Sequence, residues 1–196
     1  MHARGHRARP PSNGHSHQEL VEKILKTFRQ YGYEGATMTR FEQVTGLKRS
    51  SLYYFFPGGK DEMAEAALTM VERFLESAVI EPLKGVDAKK GLKIAAANLK
   101  KYYAGGALGC LLGAFSLGDA DRKYRRRVRK CFEMWIDALR VAYEAVGLEK
   151  RRAASVAKAT VAEIQGSLPI GSCVGSTEFL DSALRRMRDP NNQRSR

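Results

Sequence analysis

Apolar residues in this chain recur three and four positions apart almost without interruption from Leu20 to Met187, and a glycine or proline stands at most breaks in the pattern. That spacing lines one face of a 3.6-residue helix, whereas a strand needs alternation with period two, and no stretch offers it. Leu20, Val21, Ile24, Leu25, Phe28 and Tyr31 mark a first helix that ends at Gly32. A short second helix over about 39–45 has Thr37 as its N-cap and Phe41 and Val44 facing inward. Gly46 then gives a tight turn, and a third short helix covers about 49–56 before Pro57-Gly58-Gly59. Met63, Ala66, Ala67, Met70, Val71, Phe74 and Leu75 stripe a long fourth helix that ends near Pro82. Five more follow, over Leu92 to Tyr103, Cys110 to Leu117, Val128 to Val146, Ala153 to Ile164 and Phe179 to Met187. The expected fold is all-α with about nine helices: a three-helix head over 17–62, then a larger helical domain over 63–188. Residues 1–16 and 189–196 read as flexible tails, the first either a basic arm that enters a minor groove or a disordered leader.

The chain has 196 residues and a formal charge of +13, which calls for a polyanion, an anionic membrane surface or an acidic ligand as partner. Residues 1–60 carry +6 of it, 61–148 carry +3 and 149–196 carry +4, so the N-terminal third is the most basic part. The three cysteines, Cys110, Cys131 and Cys173, are odd in number and far apart, the pattern of a reducing, cytoplasmic compartment. All four histidines lie within the first 17 residues, which leaves a catalytic site in the folded body no imidazole unless the tail reaches back. The sequence implies no cofactor, no metal and no enzyme chemistry. It shows neither the apolar core of a signal peptide nor a membrane-spanning run.

The stretch from Thr37 to Lys60, TMTRFEQVTGLKRSSLYYFFPGGK, is where ordered chemistry stands. A short helix, a glycine turn and a second short helix with a polar, basic start is what a helix-turn-helix requires, because bulk would hold the second helix out of the major groove. Lys48, Arg49, Ser50 and Ser51 supply hydrogen-bonding groups at the N-terminal end of that helix. Arg49 is the foremost candidate for base readout, since a guanidinium pairs bidentately with guanine. Thr39 and Arg40 are placed to touch phosphate or an adjacent base, while Tyr53, Tyr54 and Lys60 could grip the backbone and set position. Leu52 and Phe56 read as core.

Three segments carry a resemblance to the tetracycline-repressor-like (TetR) family of transcriptional regulators: ILKTFRQYGYEGATM, VTGLKRSS and, above all, LYYFFPGGKDEM. The motif-level likeness covers about residues 18–75; beyond it the likeness is one of architecture. It implies that Thr37 caps the second helix, that Tyr53 and Lys60 hold phosphates, and that Thr39, Arg40, Lys48, Arg49, Ser50 and Tyr54 face DNA. Two departures stand out. Phe55 occupies a position where the family often has His, and Pro57-Gly58-Gly59 places one more residue before Lys60 than the commonest spacing.

The resemblance also implies a homodimer on a near-palindromic double-stranded operator, with the last two long helices of each chain forming the interface. Ala153, Ala157, Val161, Phe179, Leu180 and Leu184 are the candidate interface residues, with core packing inside one chain as their other use. Tyr102, Tyr103, Phe115, Met134 and Trp135 are candidates to line a cavity for a small effector, or else to fill the core. Cys110 follows the glycine-rich run 105–109 and opens a short helix, so it is either a thiol activated towards electrophiles or oxidants, or a packing cysteine. The run YRRRVRK, 124–130, reads as a solvated helix face, with an acidic-ligand site or a second nucleic-acid patch as its other uses. These expectations describe a ligand-responsive repressor; the rival reading is an architectural protein that binds nucleic acid without sequence choice.

Overall fold

The structure is a computed structural model that describes residues 16–192. Among the described residues it is all helix, with no strand. The arm read in 1–16 lies, apart from Ser16, outside the described residues, as do 193–196.

Helix α1, His17–Gly35, opens on a capping box: Ser16 Oγ accepts from the Glu19 N–H at 3.2 Å, and the Glu19 carboxylate accepts from the Ser16 N–H at 2.8 Å. Its buried face holds Leu20, Val21, Ile24, Leu25 and Phe28, as the periodicity predicts. The face does not continue to Tyr31, which is 40 % exposed. Gly32 has φ 68°, a left-handed kink that shifts the register and turns Tyr33 inward instead. Helix α2, Met38–Thr45, and helix α3, Arg49–Phe55, complete the head. Phe41 is buried between them and α1, but Val44, expected inside, is 40 % exposed.

Helix α4 begins at Gly59–Phe74 and continues without leaving right-handed helical geometry through a π-helical turn, Leu75–Ile80, to Glu81–Leu83. The widened turn stands just before Pro82, which lacks the N–H that residue 78 would accept from in a regular helix. Asn98 supplies the donor from outside, its Nδ2 reaching the Ala78 carbonyl at 2.8 Å. Asn98 belongs to helix α5, Ala88–Tyr102, which crosses the Pro82 turn at Gly91; a Cβ there would overlap the Pro82 carbonyl.

After a 3-10 turn, Ala104–Gly106, the single-turn helix α6, Leu111–Ala114, leads to the long α7, Gly118–Ala145. Helix α8, Lys150–Val174, runs on through Pro169, and α9 is Glu178–Arg188. The chain packs α7 on α8, α8 on α9 and α9 on α5, while α1 rests on α4 and reaches α6 and α7. One hydroxyl ties three of these together: Tyr143 on α7 donates to the Met187 carbonyl on α9 at 3.3 Å and lies 3.0 Å from Thr160 Oγ1 on α8. Residues 190–192, expected as tail, close in a 3-10 turn whose Pro190 is buried. No helix among the described residues is long and apolar enough to cross a membrane.

Candidate nucleic-acid interface

Thr37 caps α2, its hydroxyl oxygen accepting from the Arg40 N–H at 3.4 Å. At the other end of α2 the turn is locked by a residue that periodicity does not single out. Thr45 is buried, donates its hydroxyl to the Phe41 carbonyl at 2.6 Å and accepts from the Leu47 N–H at 3.2 Å. Gly46 sits in the left-handed region at φ 74°, so the chain reverses within the span of one residue. Leu47 is buried, Lys48 is the extended N-cap of α3, and Leu52 and Phe56 anchor α3 in the head core.

This scaffold leaves one edge of the head in solvent. Thr37, Thr39, Lys48, Arg49, Ser50, Tyr53 and Tyr54 are exposed, with Ser51 half-buried at the rear of the first turn of α3. The Arg49 guanidinium lies 3.8 Å from the Glu42 carboxylate across the turn. An exposed pair of this kind is worth ~0–1 kcal/mol and leaves the guanidinium available to a stronger partner. The Tyr53 ring leans on Gly59, where a Cβ would come within 3.1 Å of it.

Two expected contact residues are held elsewhere. Arg40 stacks 4.1 Å over the Tyr31 ring and donates to the Gly35 carbonyl, which fixes the α1–α2 junction. Lys60 is half-buried, with Nζ 4.3 Å over the Tyr33 ring and 3.4 Å from the Glu34 carbonyl. Burial lowers its pKa, against the pull of Glu34 and Asp61. Lys60, the second residue of α4, thus lies against the end of α1.

Behind the head lies a polar junction that the sequence alone does not reveal. Asp61 on α4 accepts from the Tyr33 hydroxyl, from Lys123 Nζ at 2.8 and 2.9 Å and from the Tyr124 hydroxyl at 3.4 Å. Lys123, then Tyr33, hold the Asp61 carboxyl below its ordinary range, and Asp61 with Tyr33 raises the Lys123 ammonium. Glu34 adds a second tie, accepting from the Asp119 N–H at the start of α7 at 2.6 Å. Thus the charged run on α7 is partly a fastener. Arg127 reaches Glu65, Glu72 and Thr69 on α4, while Arg122, Arg125 and Arg129 pair with acids on α7 itself.

The six candidate effector residues split into separate groups. Tyr102, Tyr103 and Cys110 lie together: the Tyr103 hydroxyl donates to Cys110 Sγ at 3.4 Å and accepts from Gln165 Nε2 at 3.4 Å. Phe115 belongs to the head-side aromatic cluster, 5.3 Å from Phe28 and from Tyr124. Trp135 is fully buried, whereas Met134 is exposed at a groove of about 290 Å3 with Leu75, Glu76 and Cys131. Two buried donors, the Tyr102 hydroxyl and Trp135 Nε1, meet no acceptor among the described residues. Cys110 is buried under the Tyr103 hydroxyl, at the start of the single-turn α6.

The candidate interface residues are likewise divided. Ala153, Ala157, Val161, Leu180 and Leu184 are buried within one chain, where α8 and α9 close on α5 and α7, so they are not open to a partner. Phe179 remains 39 % exposed and lines a groove with Ile170, which the apolar stripe of the sequence did not include.

No family model matches the chain. Over 76 residues, 36 % of this chain, it is 34 % identical to the HTH-type transcriptional repressor AcnR of Corynebacterium efficiens, and that match spans 40 % of the repressor's length. The whole fold is similar to a TetR transcriptional regulator from Legionella pneumophila, with a TM-score of 0.75 at 19 % identity, covering 91 % of this chain and 98 % of the other. It is also similar to a cysteine mutant of the TetR family regulator CifR complexed with 26 bp double-strand operator DNA, with a TM-score of 0.67 at 18 % identity and coverage of 91 % and 98 %. The helix-turn-helix head and the body of helices behind it thus share the fold of these TetR-family structures.

Proposed function

We propose that this protein is a sequence-specific DNA-binding transcriptional regulator, a repressor that occupies a near-palindromic operator as a homodimer and leaves it when a small effector binds. The first turn of α3 carries the reading: Lys48, Arg49 and Ser50 stand in solvent on a short helix whose turn and core are fully built. Arg49 is the base-reading residue, Lys48, Tyr53 and Tyr54 are the backbone contacts, and Thr37 and Thr39 flank them at the start of α2. Arg40 and Lys60 act one step back, by holding α1, α2 and α4 at fixed angles. The structural neighbour with operator DNA and the curated relatives named as transcriptional repressors support this role. It is a cytoplasmic role with no catalytic step.

Pairing would use the face that α8 and α9 leave apolar. Ile170 and Phe179 border a groove of about 510 Å3, with Gly166 and Ser182 giving close approach. The effector would act near Tyr102, where a buried hydroxyl lacks an acceptor. Within this reading Cys110 is the thiol that an electrophile or oxidant would modify once the Tyr103 hydroxyl is lifted from it.

Selection of genomic fragments by the purified protein tests the proposal. A regulator enriches a palindrome and prefers it to random duplex by roughly 10³-fold or more at physiological salt. A flat preference would assign the charge to an architectural role instead. Release of the enriched site by oxidants or electrophiles that persists in Cys110→Ser would remove the thiol from the effector mechanism.

A further inference from the structure

Lys89, Lys93, Lys100, Arg185 and Arg188 converge on a recess between α5 and α9, away from both the head and the proposed pairing face. The separation follows from the two sides of α9: Phe179, Ser182 and Arg186 face the pairing groove, whereas Asp181, Leu184, Arg185 and Arg188 face α5. Two adjoining hollows make up the recess. One, of about 270 Å3, is walled by Lys93, Lys100, Arg185 and Arg188 over Ala96 and Leu184. The other, of about 190 Å3, shares Lys93 and Arg188 and adds Lys89, Pro190 and Asn191.

Two acids stand on its walls, and they do not neutralise it. Asp181 pairs with Lys100 at 2.8 Å, and Asp189 lies at the far end. Arg185 donates to Ser182 Oγ at 2.7 Å. Lys89, Lys93 and Arg188 form no ion pair among the described residues, in contrast to Arg122, Arg125, Arg127, Arg129 and Arg140 on α7, each of which meets a carboxylate. Their placement also runs against local electrostatics. Lys89 and Lys90 stand in the first turn of α5, which holds no acid beyond the Asp87 cap, and a cation there opposes the helix macrodipole. Cations gathered in a concavity raise the local potential for an anion more than the same charges spread over a convex face.

We propose that this recess binds a small polyanion bearing two or more phosphate or carboxylate groups. Lys89, Lys93 and Lys100 fall on one side of α5 along about 16 Å of helix, which separates two anionic subsites. Arg188 offers a bidentate fork to the first group with Lys89 and Lys93 beside it, and Lys100 with Arg185 takes the second. A narrow hollow walled by two helices and floored by Ala96 and Leu184 admits a compact molecule, whereas a duplex or a bilayer needs a broad cationic face.

Isothermal titration of the full-length protein with inorganic pyrophosphate and with 1,2,3-propanetricarboxylate, at constant ionic strength, tests this. The expected result is one site per chain for at least one of the two, with affinity at least tenfold above that for sulfate and at least tenfold lower in the Lys93→Ala/Arg188→Ala double variant. The arm that binds tells phosphate from carboxylate. Both substituted side chains are exposed, and an unchanged thermal midpoint of the unliganded variant shows that the fold is intact. Unchanged affinity in the variant overturns the proposal. So does binding of neither probe, including the case in which the variant loses affinity for phosphatidylglycerol vesicles or random duplex DNA instead.

Discussion

The guanidinium of Arg29, on α1, lies 4.3 Å from the centroid of the Tyr102 ring, at the end of α5, and the opposite partner of that ring is Phe74, stacked at 3.9 Å. Arg29 is buried, and its fork also donates to the Gly109 carbonyl at 2.6 Å and the Tyr102 carbonyl at 3.1 Å. One side chain of the head therefore holds both ends of the loop that carries Tyr103 and leads to Cys110. A molecule that tilted the Tyr102 ring would act on α1 without an intermediary. Arg29→Ala removes the cation–π contact and two charge-assisted hydrogen bonds, with an expected loss of about 2–4 kcal/mol in urea unfolding. Arg29→Lys should recover less than half of it, because an ammonium lacks the planar fork that meets both carbonyls while stacking on the ring.

Arg49→Ala and Lys48→Ala should separate readout from positioning. The first is expected to cost about 1–3 kcal/mol on the preferred operator and little on random duplex, relaxing choice at one position. The second should weaken both alike and flatten the salt dependence by about one unit. Equal behaviour of the two variants in fluorescence-anisotropy titrations across salt would contradict the assignment.

The periodicity of the sequence carries the number and order of the helices, because apolar faces at 3.6-residue spacing and glycine breaks are local properties. It misses what depends on a single dihedral or on distant partners. Gly32 at φ 68° exchanges Tyr31 for Tyr33 on the buried side, and no pattern of apolar residues records that half-turn of slip. The Asp61–Lys123 junction joins residues far apart in the chain, so neither reads as more than surface charge in sequence. The buried state of Ala153, Ala157 and Leu180 has the same origin: an apolar stripe on α8 or α9 serves a neighbouring helix or a second chain equally well, and only packing against α5 and α7 decides. The helix-turn-helix that carries the proposed readout edge is legible because it is itself a local motif, with Gly46 and the polar start of α3 adjacent in sequence.

Thr45 is the test of how rigid that edge must be. Thr45→Val keeps the volume but deletes the donor to the Phe41 carbonyl and the acceptor for the Leu47 N–H, leaving a buried N–H without a partner. The expected cost is about 1–3 kcal/mol in stability. Amide exchange should quicken at Leu47 and in α3 before it does in α7, and operator affinity should fall more than stability explains.

Pairing through α8 and α9 predicts a monomer when the exposed apolar side chains are charged. Ile170→Asp/Phe179→Asp places two carboxylates in the proposed face while leaving the buried Leu180 and Leu184 untouched. Light scattering should report a mass near the single-chain 21.8 kDa, against twice that for the wild type. Leu184→Ala, by contrast, should lower the unfolding midpoint, by the roughly 2–5 kcal/mol of a core truncation, without changing the mass at low denaturant.

Cys131 gives the protein a defined alkaline limit. Burial, with a smaller push from Glu72, raises its thiol to about 11 against an ordinary value of 9.0. The folded state therefore keeps the proton that the unfolded chain gives up first, and the stability this confers is fully present below pH 9 and is lost as the pH rises towards 11. Thermal midpoints should fall more steeply over that window in the wild type than in Cys131→Ala, even though the variant starts lower from the lost packing. The same argument orders thiol reactivity at pH 8: a disulfide reagent should label the exposed Cys173 first and Cys131 only on unfolding. Labelling of Cys131 at the rate of Cys173 in the folded protein would show that α7 opens there far more readily than its packing against α4 allows.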